Sequence, residues 1–528
     1  MSHRDAMSQE GIMAVLDSLE FGDGTAENEE NLLEVFLYSS GAYSRVIKDE
    51  ADVITGPKGC GKSAIYRVIT ETQIAKDLTV LPAANPTGTP VFKVLFKEDS
   101  SESRLRGIWT AYITSLVGNW IVDAFDGTPG YGYQVEEIRD ILELLGLRRA
   151  QEAKRSLMQR IRRAQSIEAG AEGSLLTGAL GASLKFELAD ADQEASGAVL
   201  LEPADFFSVL QKSAEVLMDA GQRLWVAFDR LDECFTSDSP VERRALRALL
   251  RTHLDISQAL NYSRVVNMKI FLRSDLLARM SSDVAFTNST HLRQEDIRWN
   301  SDAIADLIAT RAQQSQLFRE RYLEPRAGHS LVKRSWEALV PDLSSGRRRL
   351  STSQVICERT ADGNRGFNPR NVLSLFSFAL ASARSRQRRA LDLGDAQRAE
   401  VPLLEQRDIE SAAGDLSRRR LTDSVLNEFP GVAKYVRRLE KGPAEFPSLR
   451  SLMIRIGQTA VAQDRAEEIL QQLQMSGVIG TTRNGYSIPR LYRASLNVNG
   501  AADAKPAHER YRVRRHLFAD KGSADAVE

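Results

Sequence analysis

The chain has 528 residues, more than a single hydrophobic core organises, and its apolar (42%) and charged (27%) fractions are those of a globular protein in two to four domains. A formal net charge of −1 excludes a global field that would draw in nucleic acid or an anionic membrane, so any such contact rests on local patches. Three scattered cysteines, Cys60, Cys234 and Cys357, have neither disulfide nor metal-site spacing, which fits a reducing compartment.

In chain order, residues 1–30 read as an acidic, glycine-punctuated lead-in, without the basic-then-apolar pattern of a signal peptide. No apolar run is long enough for a bilayer, so a soluble cytoplasmic protein with no membrane contact is expected. A helical pattern covers 31–43, a short apolar strand 52–55, and a helix 63–75 after an intervening glycine loop. A second strand is expected at 91–96 and a helix at 105–122. Residues 125–200, with a very basic helix at 147–165 and a Gly/Ala/Ser-rich stretch, read as an insertion. The pattern resumes with a helix at 205–220, the strand 224–228, a helix at 241–260 and the strand 267–272. Strands alternating with helices predict an α/β core with a parallel sheet and helices on both faces over 31–291. A helical lid over 292–402, a winged-helix-like domain over 403–497 and a loose tail over 498–528 complete the expected organisation.

The loop Gly56-Pro57-Lys58-Gly59-Cys60-Gly61-Lys62-Ser63, followed by Ala64, fits GxxxxGK[ST] at every position, between a predicted strand and a predicted helix. Glycines let backbone N–H groups turn inward around phosphates, the Lys62 ammonium reaches the β and γ oxygens, and the Ser63 hydroxyl suits Mg²⁺. The helix behind it adds its N-terminal dipole. ATP with Mg²⁺ is the expected cofactor.

A metal-bound triphosphate needs a carboxylate partner. The apolar strand Leu224-Trp225-Val226-Ala227-Phe228 ends in Asp229, followed by Arg230, Leu231, Asp232 and Glu233. Asp229 is the candidate for Mg²⁺; Glu233, with Asp232 next in line, is the candidate base that polarises water. The following strand ends in Arg273-Ser274-Asp275, where Arg273 reads either as a γ-phosphate sensor or as a surface partner of Asp275.

GPKGCGKSA, LWVAFDRLDE and KIFLRSDL together resemble the additional-strand division of P-loop ATPases, in particular the STAND and KAP-like groups of bacterial defence and signalling loci. The STAND pattern implies the roles given to Asp229, Asp232 and Glu233, and Arg230 departs from it where a small residue is usual. Gly366-Phe367-Asn368-Pro369-Arg370 resembles the lid segment of such ATPases, which makes Arg370 a candidate second sensor; the alternative is an exposed arginine after a helix-start proline. Residues 448–492, a helix, a turn and two short strands, look like the winged helix that ends STAND and origin-recognition ATPases. Its helix carries Glu467 and Glu468, which disfavour phosphates. A nucleotide-driven switch acting on an effector or regulatory protein, or on a homo-oligomer, is the leading expectation. A DNA-dependent ATPase that loads on or moves along nucleic acid through the winged helix and the basic patches (347–349, 386–389, 418–420 and the 148–163 helix) is the alternative, and an antiviral role is implied by resemblance alone.

Overall fold

The computed structural model describes residues 9–22, 24–36, 41–83, 100–145, 147–148, 203–231, 240–281, 292–323, 330–343, 350–364, 366–393 and 402–498. The strand expected at 91–96, the basic helix at 147–165, Asp232, Glu233, the 347–349 cluster and nearly all of the tail lie outside them. The chain forms two compact units, one of Gly41–Pro57 and Lys62–Ile297, the other of Met1–Ser40, Lys58–Gly61 and Arg298–Glu528. No described helix is long and apolar enough to cross a membrane.

The first unit is built on a parallel sheet of β1 (Val53–Gly56), β2 (Leu78–Pro82), β3 (Arg223–Phe228), β4 (Val266–Arg273) and β5 (Gln294–Asp296), in the order β2-β3-β4-β1-β5. The apolar run of β3 is what a strand buried on both faces requires, and β4 is buried along nearly all its length although it carries Asn267 and Lys269. Sequence patterning finds β1, β3 and β4 within a residue or so. It misses β2, whose residues are only partly buried, and β5, which is too short for a period-2 signal. The helix Glu102–Phe125 packs on the helices Pro203–Asp219 and Pro240–Ala259. Gly132–Leu144, inside the stretch read as an insertion, is a helix that buries Val135, Ile138 and Leu142 in the same core.

At the N-terminal edge of this sheet lies a buried polar network. Lys269 of β4 is fully buried; its Nζ donates to Asp49 Oδ1 (2.5 Å), to the Ala51 carbonyl (2.6 Å) and to Asp52 Oδ1 (3.2 Å), and it stands 4.4 Å from the centre of the Trp225 ring. Arg293 clasps Asp52 through Nε (2.7 Å) and Nη2 (2.5 Å), and Asn267 donates to both aspartates. The network joins the start of β1 to β4 and to the residue before β5.

The second unit has its own core, running from the helix Gln9–Ser18 through the helices of 301–392 to Val498. Its longest element, Pro369–Asp392, starts on an N-cap: Asn368 accepts from the Arg370 backbone N–H, with Pro369 at the first position, where a missing N–H is harmless. From Ala433 onward the order is helix (Ala433–Leu439), β6 (Glu445–Phe446), helices Leu449–Arg455 and Gln463–Met475, then β7 (Gly480–Thr482) and β8 (Gly485–Ser487). These strands form an antiparallel sheet in the order β6-β8-β7. The turn after the helix Thr352–Thr360 is fitted against this region: Gly363 N–H donates to Gly477 O at 2.7 Å, and a Cβ on Gly363 would stand 2.5 Å from the Ile479 carbonyl oxygen. Because the obstacle is backbone, Gly363→Ala is expected to lower stability by about 1–3 kcal/mol, read as a fall in the unfolding midpoint; an unchanged midpoint refutes the close packing.

Candidate functional site

At the C-terminal edge of the parallel sheet lie the phosphate loop after β1, Asp229 after β3 and Arg273 at the end of β4. In register, Gly56, the first loop residue, pairs with Arg273 of β4, while Phe228, one residue before Asp229, pairs with Ile270. β4 stands between the loop-bearing β1 and the acid-bearing β3. A GxxxxGK[ST] loop joining β1 to the helix Lys62–Glu71, in that strand order, makes this an α/β P-loop core.

Inside the loop the glycines meet a conformational demand. Gly59 and Gly61 have φ of +83° and +104°, a region closed to most side chains, and a Cβ on Gly61 would meet nothing within 4 Å. At Gly61 the loop therefore borders open space. Lys62 Nζ reaches back to the carbonyls of Gly56 (2.8 Å) and Pro57 (2.9 Å), so its ammonium lies across the loop. Ser63 is the second residue of the helix that follows, and Ala64 the third. These groups fit the anionic end of a nucleotide.

Asp229 is 5% exposed, one residue past β3. A carboxylate so covered calls for hydrogen bonds or a cation, and together with the Ser63 hydroxyl it supplies the hard oxygen donors that suit Mg²⁺. Arg230 has φ +58°. The chain thus enters the left-handed region directly after Asp229, where arginine sits at a steric disadvantage. Arg273 is 18% exposed in its side chain and forks onto Asp275, Nε to Oδ1 at 3.0 Å and Nη2 to Oδ2 at 2.9 Å, so the pairing alternative describes it in this structure. One acid at this edge escaped the sequence reading. Asp296, ending β5, accepts from the Thr55 hydroxyl at 3.1 Å, next to the first loop glycine. Without β5 recognised, nothing in the sequence placed it there.

Within the second unit, the loop residues 58–61 have partners of their own. Asn368 Nδ2 donates to the Lys58 carbonyl (2.8 Å), and Trp299 Nε1 donates to the Cys60 carbonyl (2.7 Å). A Cβ on Gly59 would meet Asn368 Oδ1 at 2.8 Å and Arg370 Cβ at 3.1 Å. Arg370 thus packs against the loop tip through its Cβ, and its Nε donates to the Gly24 carbonyl at 2.9 Å. Lys58 Nζ pairs with Glu428 at 2.7 Å. Trp299 and Glu428 are remote in sequence from any motif and had no signal there; Asn368 had one, a cap residue before a helix-start proline. No group of three or more metal-ligating side chains occurs among the described residues.

No family model matches the sequence, and no curated protein does either. Among solved structures the chain is similar to the Walker-type ATPase paby2304 of Pyrococcus abyssi, at 13% identity and a TM-score of 0.39, over 88% of this chain and 96% of that one. It is also similar to Cdc6p from Pyrobaculum aerophilum (11% identity, TM-score 0.31, 90% and 95% covered) and to the ORC2 protein of Aeropyrum pernix, solved in ADPNP–ADP complexes (11%, 0.35, 89% and 95%). At these identities and scores the likeness adds nothing to what the loop and the strand order establish.

Proposed function

We propose that the protein is a Mg²⁺-dependent ATPase whose nucleotide state drives a conformational switch or assembly controlling a partner protein. The observation that carries this reading is the pairing of an intact phosphate loop on β1 with a buried acid at the end of β3, two strands away across β4. Gly56 to Ser63 would hold the phosphates through amides and the Lys62 ammonium, and Ser63 and Asp229 would hold the metal. The bound metal would neutralise phosphate charge during transfer. Glu233, with Asp232 beside it, is the proposed base orienting the attacking water. Arg273 and Arg370 remain proposed sensors. Arg273 would have to exchange Asp275 for phosphate, and Arg370 would have to exchange the Gly24 carbonyl.

The second reading, a DNA-dependent ATPase, is supported by the two helices and three-stranded sheet of 445–487, which we read as a winged helix with Arg483 exposed at the tip of its hairpin. Two of the basic clusters weaken it. Arg386 is engaged by Asp408 (2.9 Å) and Glu405 (2.9 Å), and Arg418 by Asp415. Glu467 and Glu468 are exposed on the 463–475 helix, where a phosphate backbone would meet them. An effector or regulatory protein, or a second copy of the chain, is therefore the favoured partner. Control of antiviral defence rests on family resemblance alone.

The test is ATP turnover by the purified chain, with and without double-stranded DNA, beside Glu233→Gln. The switch reading expects turnover that falls by about 10²-fold or more in the variant and is indifferent to DNA. Strong, salt-sensitive stimulation by DNA would favour the second reading. Equal turnover in the variant would remove Glu233 from the mechanism.

A further inference from the structure

Glu428 follows a π-helical segment, Arg420–Leu426, seven residues of a geometry that is rare and concentrated at functional sites. Its carboxylate accepts from Lys58 Nζ at 2.7 Å, and the carboxylate end of the pair is the covered one, 20% exposed against 45% for the lysine. Glu428 also feels the guanidinium of Arg420, whose Nε is buried with no hydrogen-bond partner among the described residues. Lys58 is the third residue of the phosphate loop. Its charge, if free, adds to the field that attracts a polyphosphate.

We propose that Glu428 is a positioning residue that holds the Lys58 ammonium away from the phosphate loop and thereby weakens the loop's hold on nucleotide. This rests on the reading of the loop as the nucleotide site. The effect is electrostatic rather than a matter of loop shape, because two other bonds hold the backbone here: Asn368 on the Lys58 carbonyl and Trp299 on the Cys60 carbonyl, neither of which involves Glu428. It also gives the C-terminal segment a handle on the site: any partner that draws Glu428 from Lys58 returns a positive charge to the loop. Partly exposed ion pairs of this kind contribute little, so the device modulates affinity rather than gating it.

The experiment is a double-mutant cycle on the full chain with ADP as the probe, measured by calorimetry in low and high salt. Glu428→Gln is expected to tighten ADP binding about three- to fivefold in low salt and less in high salt. Lys58→Ala is expected to weaken binding, and in its background Glu428→Gln should change nothing. Unchanged or weaker ADP binding in Glu428→Gln overturns the proposal. So does an equal gain in the Lys58→Ala background, which would mean that the carboxylate acts on the phosphates directly. ADP affinity unaffected by Lys62→Ala is a separate result, which removes the nucleotide site itself.

Discussion

Lys62→Ala is expected to abolish measurable nucleotide binding and to bring ATP turnover to background while leaving the fold intact. Hydrogen bonds from a charged donor to an ionised acceptor contribute about 1.5–3 kcal/mol each, and a loop lysine makes more than one of them to a triphosphate. Affinity should therefore fall by about 10²-fold or more. The fold should tolerate the change, because the bonds from Lys62 Nζ to the Gly56 and Pro57 carbonyls lie within its own loop. Equilibrium binding of ATP and ADP, with circular dichroism and an unfolding midpoint as controls, decides the matter. Tight binding by a folded Lys62→Ala protein would sink the site assignment and the proposed activity with it.

The loop was legible because its chemistry is local. Glycines at 59 and 61 are demanded by positive φ, and the lysine and serine follow at fixed spacing within one βα turn. Asp229 was legible for a related reason: five apolar residues in a row announce a strand buried on both faces, and the polar residue that ends it marks the sheet edge. Strand order was not legible, since the pairing of β1 with β4 and β5 joins residues more than 200 positions apart. Asp296, Trp299 and Glu428 escaped for the same reason. Each is an ordinary residue in its own segment and acquires meaning from a neighbour brought by the fold. Lys269 is the sharpest case. A lysine in the middle of an apolar strand reads as a period-breaking surface residue, yet it is wholly buried because Asp49 and Asp52 meet it at the sheet's lower edge.

That network carries the second large effect: Asp52→Ala is expected to destabilise the α/β unit by about 3–5 kcal/mol, the range for removing one partner from a buried ion pair. Burial by itself would raise the Asp52 carboxyl, but hydrogen bonds from His253 and Arg293 and the charge of Lys269 outweigh it and hold the group well below the usual carboxylate range. For Lys269 burial pushes the pKa down against the pull of Asp52 and Asp49. Arg293, whose guanidinium keeps its proton in any case, clasps both aspartates, so Asp52 stays ionised wherever the lysine's proton resides. Removing the carboxylate strands Lys269 and Arg293 with Asp49 alone. Lys269→Met should be milder, since it removes a charge that burial already disfavours and leaves Arg293 to neutralise the acids. The sign of the pH dependence follows from the depressed carboxyl: the folded state binds fewer protons than the unfolded one, so the stabilisation is complete above about pH 4 and is lost as the solution becomes more acid. The stability gap between wild type and Asp52→Ala should accordingly be constant from pH 7 to about 5 and narrow by up to about 1.4 kcal/mol per pH unit below the ordinary aspartate value. Denaturant titrations of both proteins across that range provide the measurement. A gap that stays constant down to pH 3 would mean that Asp52 acts through packing and not through its charge.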